Sequence, residues 1–177
     1  MNERVRNALN EQINAELYSS YLYLSMASYF KRLNLEGFAR WMEVQALEEV
    51  THAMKFFDFV NNRGGKVDLK AIAGPQTSWD SPLSAFEAVY EHETKVTGLI
   101  YNLADIALEE KDHATGNMLQ WFLTEQVEEE SSADAVVQKL RLIGGDGGNL
   151  YLLDQELGQR VFTPPPGTSI LGAAGNA

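Results

Sequence analysis

The sequence predicts an all-α fold: a four-helix bundle with one long crossover between its second and third helices, plus a short fifth helix near the C-terminus. Three observations predict it. Four long segments lack internal proline and are rich in Ala, Leu, Glu, Met and Lys, residues that favour helix interiors. Two of the joints between them are very short, whereas the middle one runs for about 18 residues, the loop pattern of two helical hairpins joined by a crossover. Within each segment apolar residues recur three and four apart, and no stretch alternates as a strand would.

The first helix is predicted over about residues 4–33 and the second over about 35–63, with Asn34 between them as N-cap. The connection "GGKVDLKAIAGPQTSWDS" follows, and Ser81-Pro82 is a start signal for a third helix over about 82–111. A helix of about 29 residues is about 43 Å long, a distance that about 18 extended residues can span. The connection is therefore predicted to run the length of the bundle and to leave the second and third helices parallel. A tight joint at Asp112 opens the fourth helix, about 113–143, which Gly144-Gly145 stops. The fifth helix is predicted over about 149–159, "NLYLLDQELGQ". Residues 1–160 are read as one domain, and 161–177 as a Pro/Gly-rich tail without secondary structure.

Composition narrows the function classes. The chain has no cysteine, so a metal must be held by carboxylate, imidazole or carbonyl groups. Its formal charge of -11 argues against a nucleic-acid partner and favours attraction of cations. No apolar run is long enough to cross a membrane, and the N-terminal "MNERVRNALNEQ" lacks the apolar centre of a signal peptide. A cytoplasmic location is the expectation.

Each long segment carries an inward seam. The four read Leu9, Ile13, Glu16, Ser20, Tyr23, Ala27, Phe30; then Phe38, Met42, Gln45, Glu49, His52, Phe56, Phe59; then Phe86, Val89 or Tyr90, Glu93, Val96 or Thr97, Ile100, Leu103, Ala107; and last Leu119, Phe122, Gln126, Glu129, Ala133, Val136, Leu140, Ile143. Every seam is apolar at its ends and polar in its middle. Counted from Asn34, Glu16 lies about 18 residues back, with Glu49 and His52 about 15 and 18 forward; from Asp112, Glu93 lies about 19 back, with Gln126 and Glu129 about 14 and 17 forward. These residues are predicted level with one another near mid-bundle. Four carboxylates in a core cannot all stay ionised alone, because each unpaired buried charge costs several kcal/mol, and no Lys or Arg lies near them in the seams. Two divalent cations would cancel their charge, with His52 as a neutral nitrogen ligand and Gln126 as a carbonyl or hydrogen-bonding neighbour. Any one of these residues alone would read as a charge that snorkels out or pairs locally. Their coincidence in four seams reads as a two-metal site.

Smaller signals surround it. Tyr23 lies two turns beyond Glu16 on the same stripe, where it serves the site by hydrogen bond or electron donation, or is a plain core aromatic. Glu125 and Glu128 in "EQVEEE", with Glu48 beside Glu49, form either an outer metal site or an ordinary solvated charge run. Trp121 reads as packing, and His92 as surface or interface.

Bundles of this kind with paired metals carry a single Glu on each of two helices and a Glu-x-x-His on each of the other two. Here the single residues are Glu16 and Glu93 and the one full motif is Glu49-x-x-His52, while the fourth helix has Gln126-x-x-Glu129 instead. With "LNEQINAELYSSYLYLSMASYF", "EEVTHAMKFFDFV", "YEHE" and "LQWFLTEQVEEE", this pattern resembles the prokaryotic non-haem ferritins over nearly everything up to the fifth helix. The resemblance implies a ferritin-like bundle whose ferroxidase centre holds two irons: one on Glu16, Glu49 and His52, the other on Glu93 and Glu129, with Glu49 bridging. It also implies that Gln126 helps position oxygen or hydroxide, that Tyr23 is the tyrosine beside the centre, and that Glu48, Glu125 and Glu128, with Glu129 shared, hold a third iron. Haem is not expected, because Val50 stands where the haem-binding relatives carry a Met.

The activity implied is oxidation of Fe(II) with O2 or H2O2 and storage of the Fe(III) as mineral within a hollow homo-oligomeric shell of 24 subunits. A di-iron oxidase or peroxidase acting on another substrate is the alternative, and a scaffold with purely structural metals is a third, non-enzymatic reading.

Overall fold

The computed structural model describes residues 1–144 and 147–164. They form five helices, α1 (Glu3–Arg32), α2 (Glu36–Asn62), α3 (Pro82–Glu109), α4 (His113–Ile143) and α5 (Gly147–Leu157), and no strand among the described residues. Each bound lies within two residues of its predicted place. Of the predicted tail, residues 161–164 carry no secondary structure. Residues 165–177 lie outside the described residues, as does Gly145 of the predicted stop signal.

The chain divides into two compact units, one of Met1–Ala8 with Trp79–Leu153 and the other of Leu9–Ser78 with the residues from Asp154 onward. The second unit contains α2 and nearly all of α1. α1 ends in a Schellman turn: Asn34 adopts φ 57°, its N–H donates to the Lys31 carbonyl (3.1 Å), and the Leu35 N–H donates to the Phe30 carbonyl (3.1 Å). Asn34 is thus not the N-cap of α2, as its sequence position suggested. The α2 N-cap is Leu35, which offers no side-chain hydrogen bond, and the exposed N–H groups of that helix end need another acceptor. Asp154 of α5 supplies it: one of its carboxylate oxygens accepts from the N–H of Gly37 (2.8 Å) and of Phe38 (3.0 Å). The approach is so close that a Cβ on Gly37 would fall 1.6 Å from the Asp154 carbonyl oxygen. Here glycine is a steric requirement.

After α2, a second Schellman turn at Gly64 (φ 68°) starts the long connection. That segment is held to α1 residue by residue. Asn10 donates to the Lys66 carbonyl (3.1 Å) and accepts from the Asp68 N–H (3.0 Å), Ser25 donates to the Gln76 carbonyl (2.6 Å), and Arg32 donates to the Thr77 carbonyl (2.9 Å). Contacts stepping from Asn10 to Arg32 carry it along about 33 Å of α1, most of that helix's length.

In the other unit, Ser81 caps α3 with a capping box to Ser84 and Pro82 opens the helix. α3 closes in a third Schellman turn, with Lys111 in the left-handed position (φ 54°) and the Asp112 N–H donating to the Ala107 carbonyl (2.9 Å). Asp112 then caps α4 by accepting from the Thr115 N–H (3.1 Å), and Gly144 (φ 60°) ends it. The predicted seams are buried with few exceptions. Val89, not Tyr90, faces inward on α3, both Val96 and Thr97 are buried, and Phe59 and Ile143 are only half-buried.

Candidate metal centre

The geometry begins on α1 and α2. Glu49 and His52 stand three residues apart, hence on one helical face, and the Glu49 carboxylate lies 3.4 Å from His52 Nδ1. Glu16 reaches the same place from α1. Ligand atoms of Glu16, Glu49 and His52 lie within 4.8 Å of one another, and all three residues are at most 3 % exposed.

Two glutamines that the sequence reading gave no role complete this cluster. Gln12 donates to Glu16 Oε1 (2.8 Å) and Gln45 donates to Glu49 Oε1 (3.4 Å). The arrangement repeats: a glutamine one turn before each carboxylate satisfies one oxygen and leaves the other for a different partner. For Glu16 that other oxygen, Oε2, is buried and has no hydrogen-bond partner among the described residues. Burial, followed by the neighbouring Glu49 carboxylate, raises the Glu16 pKa to about 8, so at neutral pH the metal-free site holds a proton there. An orphaned carboxylate oxygen, a second carboxylate and an imidazole, brought together away from water, are a donor set suited to a divalent cation such as Fe(II), Mn(II) or Zn(II).

On α3 and α4, Glu93, Gln126 and Glu129 are also buried. The Gln126 amide nitrogen donates toward the Glu93 carbonyl oxygen (3.3 Å), Glu93 Oε2 (3.4 Å) and Thr97 Oγ1 (3.2 Å). Thr97 in turn donates to Glu130 Oε1 (2.5 Å). From the sequence Thr97 reads only as one option for the seam, and Glu130 only as the last residue of the run "EQVEEE", with no role of its own. A cavity of about 300 Å³ opens at this row, lined by Thr97, Gln126 and Glu130 with Tyr90, Tyr101 and Asp134 among its walls.

The remaining residues named from sequence are placed as follows. Tyr23 is fully buried in the core. Glu125 is half-buried and Glu128 exposed. Glu48 is half-buried and engaged: Arg160, just beyond α5, donates to its Oε2 (2.5 Å) and lays its guanidinium over the Trp41 ring (4.3 Å to the centroid). Nothing local in the sequence marks that pair, whose members are 112 residues apart. His92 is half-buried, not on the open surface, and burial, with the charge of Lys95 nearby, lowers its pKa to about 4. Trp121 packs edge-on against Phe122, ring centroids 4.8 Å apart.

Comparison with known proteins gives concordant results. The profile of the ferritin-like domain family matches residues 6–143. A bacterial non-heme ferritin of Bacteroides fragilis is 46% identical over 160 residues, 90% of this chain and 99% of that protein. One from Staphylococcus aureus is 39% identical over 162 residues, covering 92% and 98%. Among solved structures, an open-pore ferritin from the hyperthermophilic archaeon Archaeoglobus fulgidus superposes with a TM-score of 0.90 at 58% identity, covering 91% of this chain and 99% of the other. A closed form of the Archaeoglobus fulgidus ferritin, engineered by site-directed mutagenesis, gives 0.91 at 59%, covering 92% and 99%.

Proposed function

This chain belongs to the ferritin family, and on that premise we propose that it stores iron by oxidising Fe(II) at a di-iron ferroxidase centre and depositing the Fe(III) as a hydrated oxide inside a homo-oligomeric cage of 24 copies. The observation that carries the reading is the buried cluster of Glu16, Glu49 and His52, with one carboxylate oxygen left without a partner among the described residues. Such a cluster is costly in a core unless a cation enters it.

In this reading Fe(II) is the substrate. One ion displaces the proton that burial keeps on Glu16 and takes that carboxylate, Glu49 and His52 as ligands. The family resemblance assigns a second ion to Glu93 and Glu129, with Glu49 shared, Gln126 as the amide beside it, and Tyr23 as the adjoining aromatic. Each Fe(II) gives up one electron to O2 or H2O2, and the ferric product hydrolyses with release of protons. Carboxylate ligands favour the more highly charged product, and the acidic chain favours cation entry. Glu48, Glu125 and Glu128 are the proposed ligands of a third ion, for which Arg160 must first give up Glu48. Residues 1–160 act as one di-iron domain. No helix among the described residues is long and apolar enough to cross a membrane, and a cytoplasmic location is proposed with the rest.

The test is anaerobic loading with Fe(II), stopped-flow mixing with O2, and sizing of the particle. A fast phase consuming two irons per chain, continuing into hundreds of irons in a large assembly, is expected. Two irons oxidised without further uptake, in a small oligomer, would overturn storage in favour of oxidation of another substrate.

A further inference from the structure

We propose that Glu130, acting through Thr97, is a positioning residue that fixes the orientation of the Gln126 amide and so holds its carbonyl oxygen open as a ligand or hydrogen-bond acceptor for the metal bound at Glu93 and Glu129. The inference rests on the reading of those two carboxylates as iron ligands, and adds two residues to which that reading gives no role.

The two ends of a glutamine amide are alike in size, so only the surrounding donors and acceptors decide which way it faces. Thr97 has a single hydroxyl proton. Thr97 donates it to Glu130 Oε1 over 2.5 Å, a short and correspondingly strong hydrogen bond, so Thr97 Oγ1 faces Gln126 as an acceptor. On the same side of the amide stand the Glu93 carbonyl oxygen and Glu93 Oε2, both acceptors. Three oxygens therefore surround one end of the Gln126 side chain, and two of them, the Glu93 carbonyl oxygen and Thr97 Oγ1, have no proton to offer it. The NH2 end satisfies them. The reversed amide would set its own oxygen against these two, leaving acceptors crowded together in a buried place.

The consequence lies at the other end of the amide. All three hydrogen bonds of the Gln126 side chain among the described residues are made by its nitrogen, so the carbonyl oxygen of this cavity-lining residue is left for another partner. Removing Glu130 would release the Thr97 proton, which could then turn toward Gln126 and stabilise the reversed amide. The row runs from Glu93 through Gln126 and Thr97 to Glu130, which is half-buried at the wall of the 300 Å³ cavity. A carboxylate one helical turn from the proposed ligand Gln126, and next to Glu129, thus acts at a distance through one hydroxyl.

The test uses the assembled full-length protein, with Co(II) as the probe in anaerobic calorimetric titration and in visible absorption, for wild type, Thr97→Val, Thr97→Ser, Glu130→Ala, Gln126→Leu and Glu129→Ala. Helical circular dichroism checks that each variant is folded, and Glu130→Ala at a half-exposed position guards against loss of fold in Thr97→Val. Thr97→Val and Glu130→Ala are expected to weaken the second Co(II) about tenfold and to shift its absorption bands. The first Co(II) stays unchanged, and Thr97→Ser restores wild-type behaviour because it keeps the hydroxyl. Wild-type affinity and bands in Thr97→Val and Glu130→Ala, with loss of both in Gln126→Leu, would overturn the proposal while leaving the parent reading intact. If Gln126→Leu and Glu129→Ala both leave the second ion unaffected, the parent reading fails and the positioning role fails with it.

Discussion

The α1–α2 hairpin and the α3–α4 hairpin each bury carboxylates, and they tolerate them by different means. In the first, Glu16 and Glu49 face each other beside His52, each has one oxygen answered by a glutamine, and the remaining tension is relieved by a proton that burial holds on Glu16 up to about pH 8. In the second, Glu93 accepts from Gln126, and Gln126 is oriented by Thr97 and Glu130. One hairpin stores its readiness for a cation as a proton to be displaced; the other stores it in an amide already turned. The lesson is that a buried carboxylate need not be paired with a base to be tolerated. It needs either a proton or oriented dipoles, and the two choices respond differently to pH and to mutation.

The largest effect expected from breaking this comparison is at Glu49. Glu49→Ala strips the first ion of a ligand and, in the proposed centre, the second ion of the shared one. Fast Fe(II) oxidation in stopped flow should fall by about 100-fold or more, since even outer partners of metal ligands are worth 10–100-fold. Glu129→Ala should weaken the second ion more than the first in anaerobic titration. Rates equal to wild type in Glu49→Ala would sink the two-ion assignment, and equal loss of both ions in Glu129→Ala would erase the distinction between the hairpins.

The proton on Glu16 gives a sharper contrast. Its folded-state pKa is about 8 against an ordinary 4.5, so below about pH 4.5 both folded and unfolded chains hold the proton and the residue carries no penalty. Between about 4.5 and 8 only the folded chain holds it, and stability falls as pH rises, reaching its full penalty above about 8. Glu16→Gln should therefore match wild type in stability near pH 4.5 and exceed it at pH 8 by on the order of a few kcal/mol in the metal-free protein. Binding of the first ion should strengthen about tenfold per pH unit from pH 6 to about 8 and then level, with about one proton released per ion. Calorimetry in two buffers of different ionisation enthalpy measures that proton. A pH-independent first ion would remove the proton from the account.

Much of this was readable from the sequence because helices are periodic. Glu16, Glu49, His52, Glu93, Gln126 and Glu129 interrupt apolar seams at three- and four-residue spacing, and all six are buried. The long connection was readable from its length alone. What escaped was of two kinds. Gln12 and Gln45 carried a signal, one turn ahead of Glu16 and Glu49, but Gln12 lies beside the seam and not in it. The Asp154 cap on α2 and the Arg160–Glu48 pair carried none, because their partners are 117 and 112 residues apart and periodicity says nothing about contacts at that separation. Asn34 misled for a chemical reason: asparagine suits both an N-cap and the left-handed residue of a helix end, and a two-helix joint offers both places within two residues.

The smallest expected effect separates the same hairpins at their turns. Both close α1 and α3 with the same Schellman geometry, one with Asn34 at φ 57° and the other with Lys111 at φ 54°. Asparagine visits that region readily; lysine pays a steric cost from its Cβ, which glycine lacks. Lys111→Gly should therefore stabilise the protein by about 0.5–1 kcal/mol, the relief being partly offset by the greater freedom of glycine in the unfolded chain. Asn34→Gly should change it by less than about 0.5 kcal/mol. Thermal unfolding of the metal-free protein compares the two, and neither substitution should alter Co(II) binding, since both lie at turns far along the helices from Glu16 and Glu93. Equal stabilisation by both would mean that Asn34 is as strained as Lys111. A loss of stability in Lys111→Gly would mean that the lysine side chain contributes contacts worth more than the strain of its backbone.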